Sequence, residues 1–301
     1  MPPKKIKIKG PRAPVVAVLN MKGGVGKTTI SGNLFRVLFE QFRAGTLLLD
    51  LDPQFNLSQA LFTRADYEKL RSAGNTVLQA LEPPSQAGLF EIATSASPPP
   101  RPELIAHKLW SFAAAATKPA EALSIVPGDF RLVKYALITE SRKLDAVRDR
   151  FMKFIEMARR EFKVVVIDCN PSSSFFTLCA LRACTHLLIP VRPDRYSILG
   201  LELLTDFIDS IAVIHPKPPI SVVLNGVPRT NYDRKVEDEL RAHPVFGANT
   251  LANVIHTSQI LVAKPDYTGF ATDKRAPNKK KLRANFADLA VEFADRIGIK
   301  K

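Results

Sequence analysis

Residues 15–42 restrict this chain to a narrow set of folds. An apolar run, Val15-Val16-Ala17-Val18-Leu19, leads into Lys22-Gly23-Gly24-Val25-Gly26-Lys27-Thr28-Thr29, and a helical pattern follows from Ile30 to Phe42. Strand, glycine loop and helix in that order form a concave row of backbone N–H groups at the positive end of a helix, which is an anion site. Gly23, Gly24 and Gly26 permit the close backbone approach that a phosphate needs. The stretch from Gly23 to Thr29, Val25 included, is therefore the candidate nucleotide-binding segment. Within it Lys27 is placed to reach β- and γ-phosphates, Thr28 to ligate Mg²⁺ and Thr29 to bond the α-phosphate. Lys22 is a second lysine, beyond what the ordinary phosphate loop requires.

Two further apolar runs end in acids. Thr46-Leu47-Leu48-Leu49-Asp50-Leu51-Asp52-Pro53-Gln54 reads as a strand closing on two carboxylates, and Lys163-Val164-Val165-Val166-Ile167-Asp168 as one closing on a third. In open α/β sheets, ligands collect at the carboxyl ends of strands. One phosphate loop and two sets of acids are thus expected around a single crevice, where a carboxylate can hold Mg²⁺ through water or orient an attacking water.

The remaining chain alternates strands and helices, which implies a mostly parallel, doubly wound α/β sheet flanked by helices on both faces. Seven or eight strands are expected, in one domain over 14–299 behind a basic flexible tail at 1–13. Helices are expected near 142–161, 174–183, 197–213, 231–242 and 281–297, and strands near 186–191, 219–225 and 250–255. The stretch 63–123 is the least regular: helices near 64–73, 75–81 and 102–115, with a Pro/Ala-rich insertion at about 83–123. Apolar residues make up 46% of the chain, enough for a large core. No apolar run approaches the ~20 residues of a membrane span. No apolar stretch follows the basic start as a secretory signal would require. Cys169, Cys179 and Cys184 lack metal-ligand spacing and read as free thiols of a reducing compartment.

With these motifs in place, the chain resembles the ParA/MinD group of deviant Walker ATPases, and within it the short, Soj-like ParA proteins. The likeness is carried by K-G-G-V-G-K-T-T at 22–29 with Asn33-Leu34 after it, by L-L-L-D-L-D-P-Q at 47–54, and by V-V-V-I-D-C-N-P-S at 164–172. Val126-Pro127-Gly128-Asp129, Leu187 to Val191, Val222 to Asn225 and the terminal helix extend it over roughly 14–299. The resemblance implies ATP and Mg²⁺ as cofactors and an ATP-dependent homodimer sandwiching the nucleotides. Lys22 would reach the partner subunit's phosphates and Lys27 its own. Thr28 would ligate Mg²⁺, Asp168 would hold it through water, and Asp50 would support from behind. Asp52 would position the attacking water, and Asn225 would contact the base. It further implies non-specific DNA binding, a ParB-like or other protein that stimulates hydrolysis, and a cytoplasmic, nucleoid-associated location.

The sequence departs from that pattern in places. Phe55 stands where D-P-Q is usually followed by Gly, and Asn170 replaces a proline. Val254-Ile255-His256-Thr257 lacks the arginine that relatives use near DNA. Charge nevertheless points to a polyanion. The net charge is +14, with five basic residues and no acid in 1–14 and ten against five in 264–301. Lys274, Arg275, Lys279, Lys280, Lys281 and Arg283 form the candidate DNA-binding cluster. Two alternatives stay open: a regulatory ATPase that recruits a protein complex without DNA, and a membrane-cycling, MinD-like one using its last helix. For that helix, with Leu282, Phe286, Leu289, Phe293 and Ile297 on one face, packing on the sheet is the expectation.

Overall fold

The computed structural model describes residues 12–85, 88, 91–113, 118–138, 140–172, 174–214, 216–262 and 267–301. Among them, eight strands form one sheet in the order β3-β4-β2-β5-β1-β6-β7-β8. These are β1 (Val15–Val18), β2 (Thr46–Asp50), β3 (His107–Ser111), β4 (Ala122–Val126), β5 (Val164–Asp168), β6 (His186–Val191), β7 (Ile220–Val227) and β8 (Ile255–His256). All neighbouring pairs are parallel except β3 with β4. The helices are α1 (Lys27–Phe42), α2 (Asn56–Leu61), α3 (Arg64–Ser72), α4 (Leu78–Leu81), α5 (Pro102–Ile105), α6 (Ser141–Glu161), α7 (Phe175–Ala183), α8 (Ser197–Ser210), α9 (Lys235–Ala242) and α10 (Lys279–Arg296).

The central strands are β-branched and aliphatic along their whole length because both faces are covered. Successive side chains alternate between two cores. Val15, Ala17, Leu47, Leu49, Val165 and Ile167 pack with residues of α6, α7 and α8. Val16, Val18, Leu48, Val164 and Val166 pack with α1 and α10. The last helix is thus a core element: Leu282, Phe286, Leu289 and Phe293 are buried, and Phe293 meets Phe35 edge-on at 6.0 Å. Burial of each such side chain is worth about 1.5–3 kcal/mol relative to exposure. That commitment removes the apolar face a membrane-surface helix would need. Among the described residues no helix is long and apolar enough to cross a membrane.

Two expectations fail. The strand expected near 250–255 forms only at its far end, as β8, with Thr250 making an isolated bridge to Val222. The helix read at 102–115 is only the four residues of α5, begun by Pro102 and ended at Ala106. The chain then turns into β3, which pairs antiparallel with β4 at the sheet edge. Ladder bonds and a tertiary contact override the local helix preference here: the Arg36 guanidinium lies 4.4 Å from the Trp110 ring centroid. Residues 114 and 115 of that expected helix lie outside the described residues. The basic tail does too, apart from Arg12, which pairs with Glu156 at 2.6 Å, and Ala13, which donates to the Arg159 carbonyl.

Candidate nucleotide-binding site

Register brings the expected groups together. Val18 is the partner of Asp168 across β1 and β5, and Asp50 is the partner of Asp168 across β2 and β5. The glycine loop leaves the end of β1 between these acids on one side and β6 on the other. Gly24 and Gly26 take φ of 73° and 93°, a left-handed backbone that favours glycine. At Gly26 a Cβ would also lie 2.1 Å from the Asn225 amide nitrogen. That nitrogen donates to the Val25 carbonyl at 2.7 Å, so Asn225 of β7 braces the loop. Asn20 does the same from below: its amide donates to the Pro190 carbonyl at 2.8 Å, and its Oδ1 accepts the Lys22 N–H at 2.9 Å.

The two lysines differ. Lys27, at the start of α1, is 7% exposed, and its ammonium donates to the Lys22 carbonyl at 3.1 Å. Burial lowers its pKa from the ordinary lysine value, against the pull of Asp168, Cys169 and Asp52. Lys22 is exposed, and its Nζ sits 2.5 Å from Asp194 Oδ2 in the loop after β6. Thr28 and Thr29, both half-buried, line a 360 Å³ cavity with Asn33, Asn56, Tyr267 and Lys274.

The acids also separate by role. Asp50 is fully buried, and its Oδ2 accepts both the Ser58 N–H at 2.8 Å and the Ser58 hydroxyl at 2.7 Å. Burial, with Asp168 close by, pushes its pKa up to about 8. It ties β2 to α2 from behind the site. Asp52 lies within the crevice, 5% exposed; its Oδ1 accepts the Gln54 N–H at 2.9 Å and its Oδ2 the Asn56 amide at 3.3 Å. Asp168 is 1% exposed, and its Oδ1 accepts the Ser31 hydroxyl at 2.7 Å. Its Oδ2 is buried with no protein partner among the described residues. Burial pushes its pKa up to about 6, with the Ser31 and Thr28 hydroxyls pulling the other way. A buried carboxylate oxygen without a donor, beside a threonine hydroxyl, fits a hydrated cation bound through one acid and a substrate's phosphates. No group of three or more His, Cys, Asp or Glu among the described residues could cage a metal alone.

Asn20, Ser31, Ser58 and Asp194 were not singled out in the sequence. Ser31 sits one helical turn beyond Thr28, a signal the sequence offers, whereas Asp194 lies three residues past the last residue of β6 and does not follow the strand-end rule that Asp168 obeys.

The basic cluster is less uniform than its sequence. Arg275, Lys280 and Lys281 are exposed and carry no ion pair among the described residues. Arg283 is spoken for: Nη1 bonds Asp273 at 2.8 Å and Nη2 bonds Glu40 at 2.5 Å, in a network that also takes in Arg36. Lys279 donates to the Asp273 carbonyl at 3.0 Å, and Lys274 lies 4.5 Å from the Tyr267 ring centroid. Where relatives were expected to offer an arginine, the Thr257 hydroxyl bonds the Gly226 carbonyl at 3.1 Å.

Comparison with known proteins agrees with this architecture. The family described as an AAA domain matches residues 13–217. The chromosome partitioning protein ParA of Myxococcus xanthus is 29% identical over 238 residues, covering 76% of this chain and 71% of that protein. In fold, pNOB8 ParA bound to nonspecific DNA aligns with a TM-score of 0.62 at 16% identity, over 96% of this chain and 100% of that one. Cobyrinic acid a,c-diamide synthase from Mycobacterium smegmatis, with a bound ATP analog and magnesium, aligns with a TM-score of 0.64 at 21% identity, over 94% and 95%. With its glycine loop, its strand-end acids and an AAA domain match across two thirds of its length, the chain belongs to the ParA/MinD family.

Proposed function

We propose that this chain is an ATPase whose ATP-bound form is a homodimer that holds DNA without sequence preference, and whose hydrolysis, stimulated by a ParB-like or other partner, releases it. Such a cycle segregates or positions a plasmid, a chromosome or a protein cargo in the cytoplasm, on the nucleoid. The observation that carries the ATPase reading is the convergence of Lys27, Thr28, Asp52 and the unpartnered Asp168 oxygen at neighbouring strand ends.

The chain's own groups account for the steps. Loop N–H groups and the α1 terminus bind the phosphates, and Lys27 exchanges the Lys22 carbonyl for a phosphate oxygen. Thr28 and Asp168 would hold Mg²⁺, which supplies charge neutralisation on the transferring phosphate. Asp52 orients the attacking water; phosphoryl transfer is chiefly positioning and charge stabilisation, so no strong base is needed. Asn225, already at the loop, is assigned the base contact. Among the described residues the Lys22 ammonium is held by a single exposed ion pair, worth about 0–1 kcal/mol, and exchanges it cheaply for the partner subunit's phosphates. Arg275, Lys280 and Lys281 form the DNA surface, with Lys274 and Lys279 beside them. Support for the DNA step comes from charge and from the pNOB8 ParA complex with nonspecific DNA.

Filter binding of non-specific duplex, with ATP or ADP and at several salt concentrations, tests the DNA step. ATP-dependent retention that falls steeply with salt is expected. Equal retention with both nucleotides, or none, would leave only the ATPase half standing.

A further inference from the structure

Phe55 occupies a backbone that its residue type disfavours. It precedes α2, directly after Asp52-Pro53-Gln54, at φ 42° and ψ 42°. In this left-handed region a Cβ crowds the chain, and glycine is the unstrained choice. The strain persists because the ring is gripped. It lies flat on Tyr67 of α3, with centroids 4.9 Å apart and planes 1° from parallel. The Tyr67 hydroxyl in turn donates to the Gly128 carbonyl at 3.1 Å. Gly128 seals the other side: a Cβ there would lie 2.7 Å from the Phe55 Cβ and 3.0 Å from Asp50 Cγ. Its N–H donates to the Ser58 hydroxyl at 2.9 Å, the same hydroxyl that donates to Asp50.

The segment held this way is the one that aims Asp52. The Phe55 N–H donates to the Asp52 carbonyl at 2.8 Å. The two donors on the Asp52 carboxylate, Gln54 N–H and Asn56 amide, flank Phe55 directly. The Gln54 N–H is aimed by the backbone itself, and the Asn56 side chain, also bonded to Gln54 Oε1 at 3.3 Å, is carried on that same backbone, which the ring stack holds. Residues held in sparsely populated conformations persist only where their surroundings over-determine them, and such sites cluster where geometry matters to chemistry.

We propose that Phe55 is a positioning residue for Asp52: stacked on Tyr67, it holds residues 52–56 in the backbone that points the Asp52 carboxylate at the attacking water. This rests on the reading of Asp52 given above. The ring sets turnover, not nucleotide affinity, because the phosphate loop and Lys27 stand on other elements.

The test compares wild type, Asp52→Ala, Phe55→Gly, Tyr67→Ala, Tyr67→Phe and the Phe55→Gly/Tyr67→Ala pair. ATP turnover, ATP affinity, melting temperature and amide hydrogen exchange without nucleotide are measured for each. Phe55→Gly is expected to lower kcat about tenfold or more with KM for ATP within about twofold, since small misplacement of a catalytic group is costly. Exchange at the Phe55 position, Ser58 and Gln59 should quicken before any ATP is added. Tyr67→Ala should behave alike, Tyr67→Phe should restore turnover relative to Tyr67→Ala, and the double variant should be no worse than either single. Wild-type kcat in Phe55→Gly, or loss of ATP affinity in step with kcat, overturns the proposal. Because glycine suits the backbone at 55, that variant is expected to fold; if it does not, the Tyr67 pair decides by the same criteria. If Asp52→Ala keeps full turnover, the reading of Asp52 falls and this proposal with it. If only Asp52→Ala loses turnover, the positioning role alone is refuted.

Discussion

The glycine loop and the basic segment at 274–283 look equally conspicuous in sequence, yet they differ in how far sequence determines them. The loop acts through its main chain. Two glycines at positive φ, a helix start and three strand ends set its geometry, and the side chains around it have few alternatives. The basic segment acts through side-chain ends, and these find other partners. Arg283 faces Asp273 and Glu40, and Lys279 bends to a carbonyl, leaving Arg275, Lys280 and Lys281 outward. A backbone motif can be read residue by residue. A charge run gives only an upper bound on the charges that reach a ligand.

The largest expected effect belongs to the loop. Lys27→Ala should weaken ATP binding by about 100-fold or more, as removal of one partner from a buried charged contact does. Calorimetric titration checks it; wild-type affinity would mean that the backbone alone holds the phosphates.

The basic segment should divide. Arg275→Ala, Lys280→Ala and Lys281→Ala together should lower DNA affinity and reduce the salt slope by about one unit per residue removed. Arg283→Ala should leave that slope nearly unchanged and instead cost on the order of 0.5–1 kcal/mol of stability, being half-exposed and shared with Arg36. An equal loss of slope from Arg283→Ala would erase the distinction between the two regions.

A further effect, on stability and not on either ligand, lies in the acids behind the loop. Asp50 titrates at about 8 in the folded protein, above the 3.8 of an ordinary carboxyl, with burial the chief cause. Between those values the folded state holds a proton that the unfolded chain has released, so stability falls as pH rises from about 4 to 8. Asp168, at about 6, adds to the fall over the lower part of that window. The Asp50→Asn variant should therefore melt with a smaller difference between pH 5 and pH 8 than wild type. An unchanged difference would place the titration elsewhere.

The sheet, the loop and the strand-end acids were legible because each rests on local pattern: an apolar run, a glycine spacing, an acid at a strand end. What stayed hidden depends on distant partners. β3 was read as helix because its pairing with β4 and the Arg36–Trp110 contact join residues far apart in sequence. Phe55 stood out only as a departure from a pattern, and its stacking partner lies one helix away. Asp194 became visible as the partner of Lys22 only once β6 was set beside β1.

The central claim is that Lys22 and Lys27 serve one ATP-gated dimer from opposite subunits. Mass measurement by light scattering on Asp52→Ala, with and without Lys22→Ala, in ATP–Mg²⁺ and in ADP–Mg²⁺, tests it most directly. The account predicts a dimer for Asp52→Ala in ATP alone, and a monomer that still binds ATP once Lys22 is also removed. A dimer that persists without Lys22, or an ATP-loaded Asp52→Ala that stays monomeric, would contradict it.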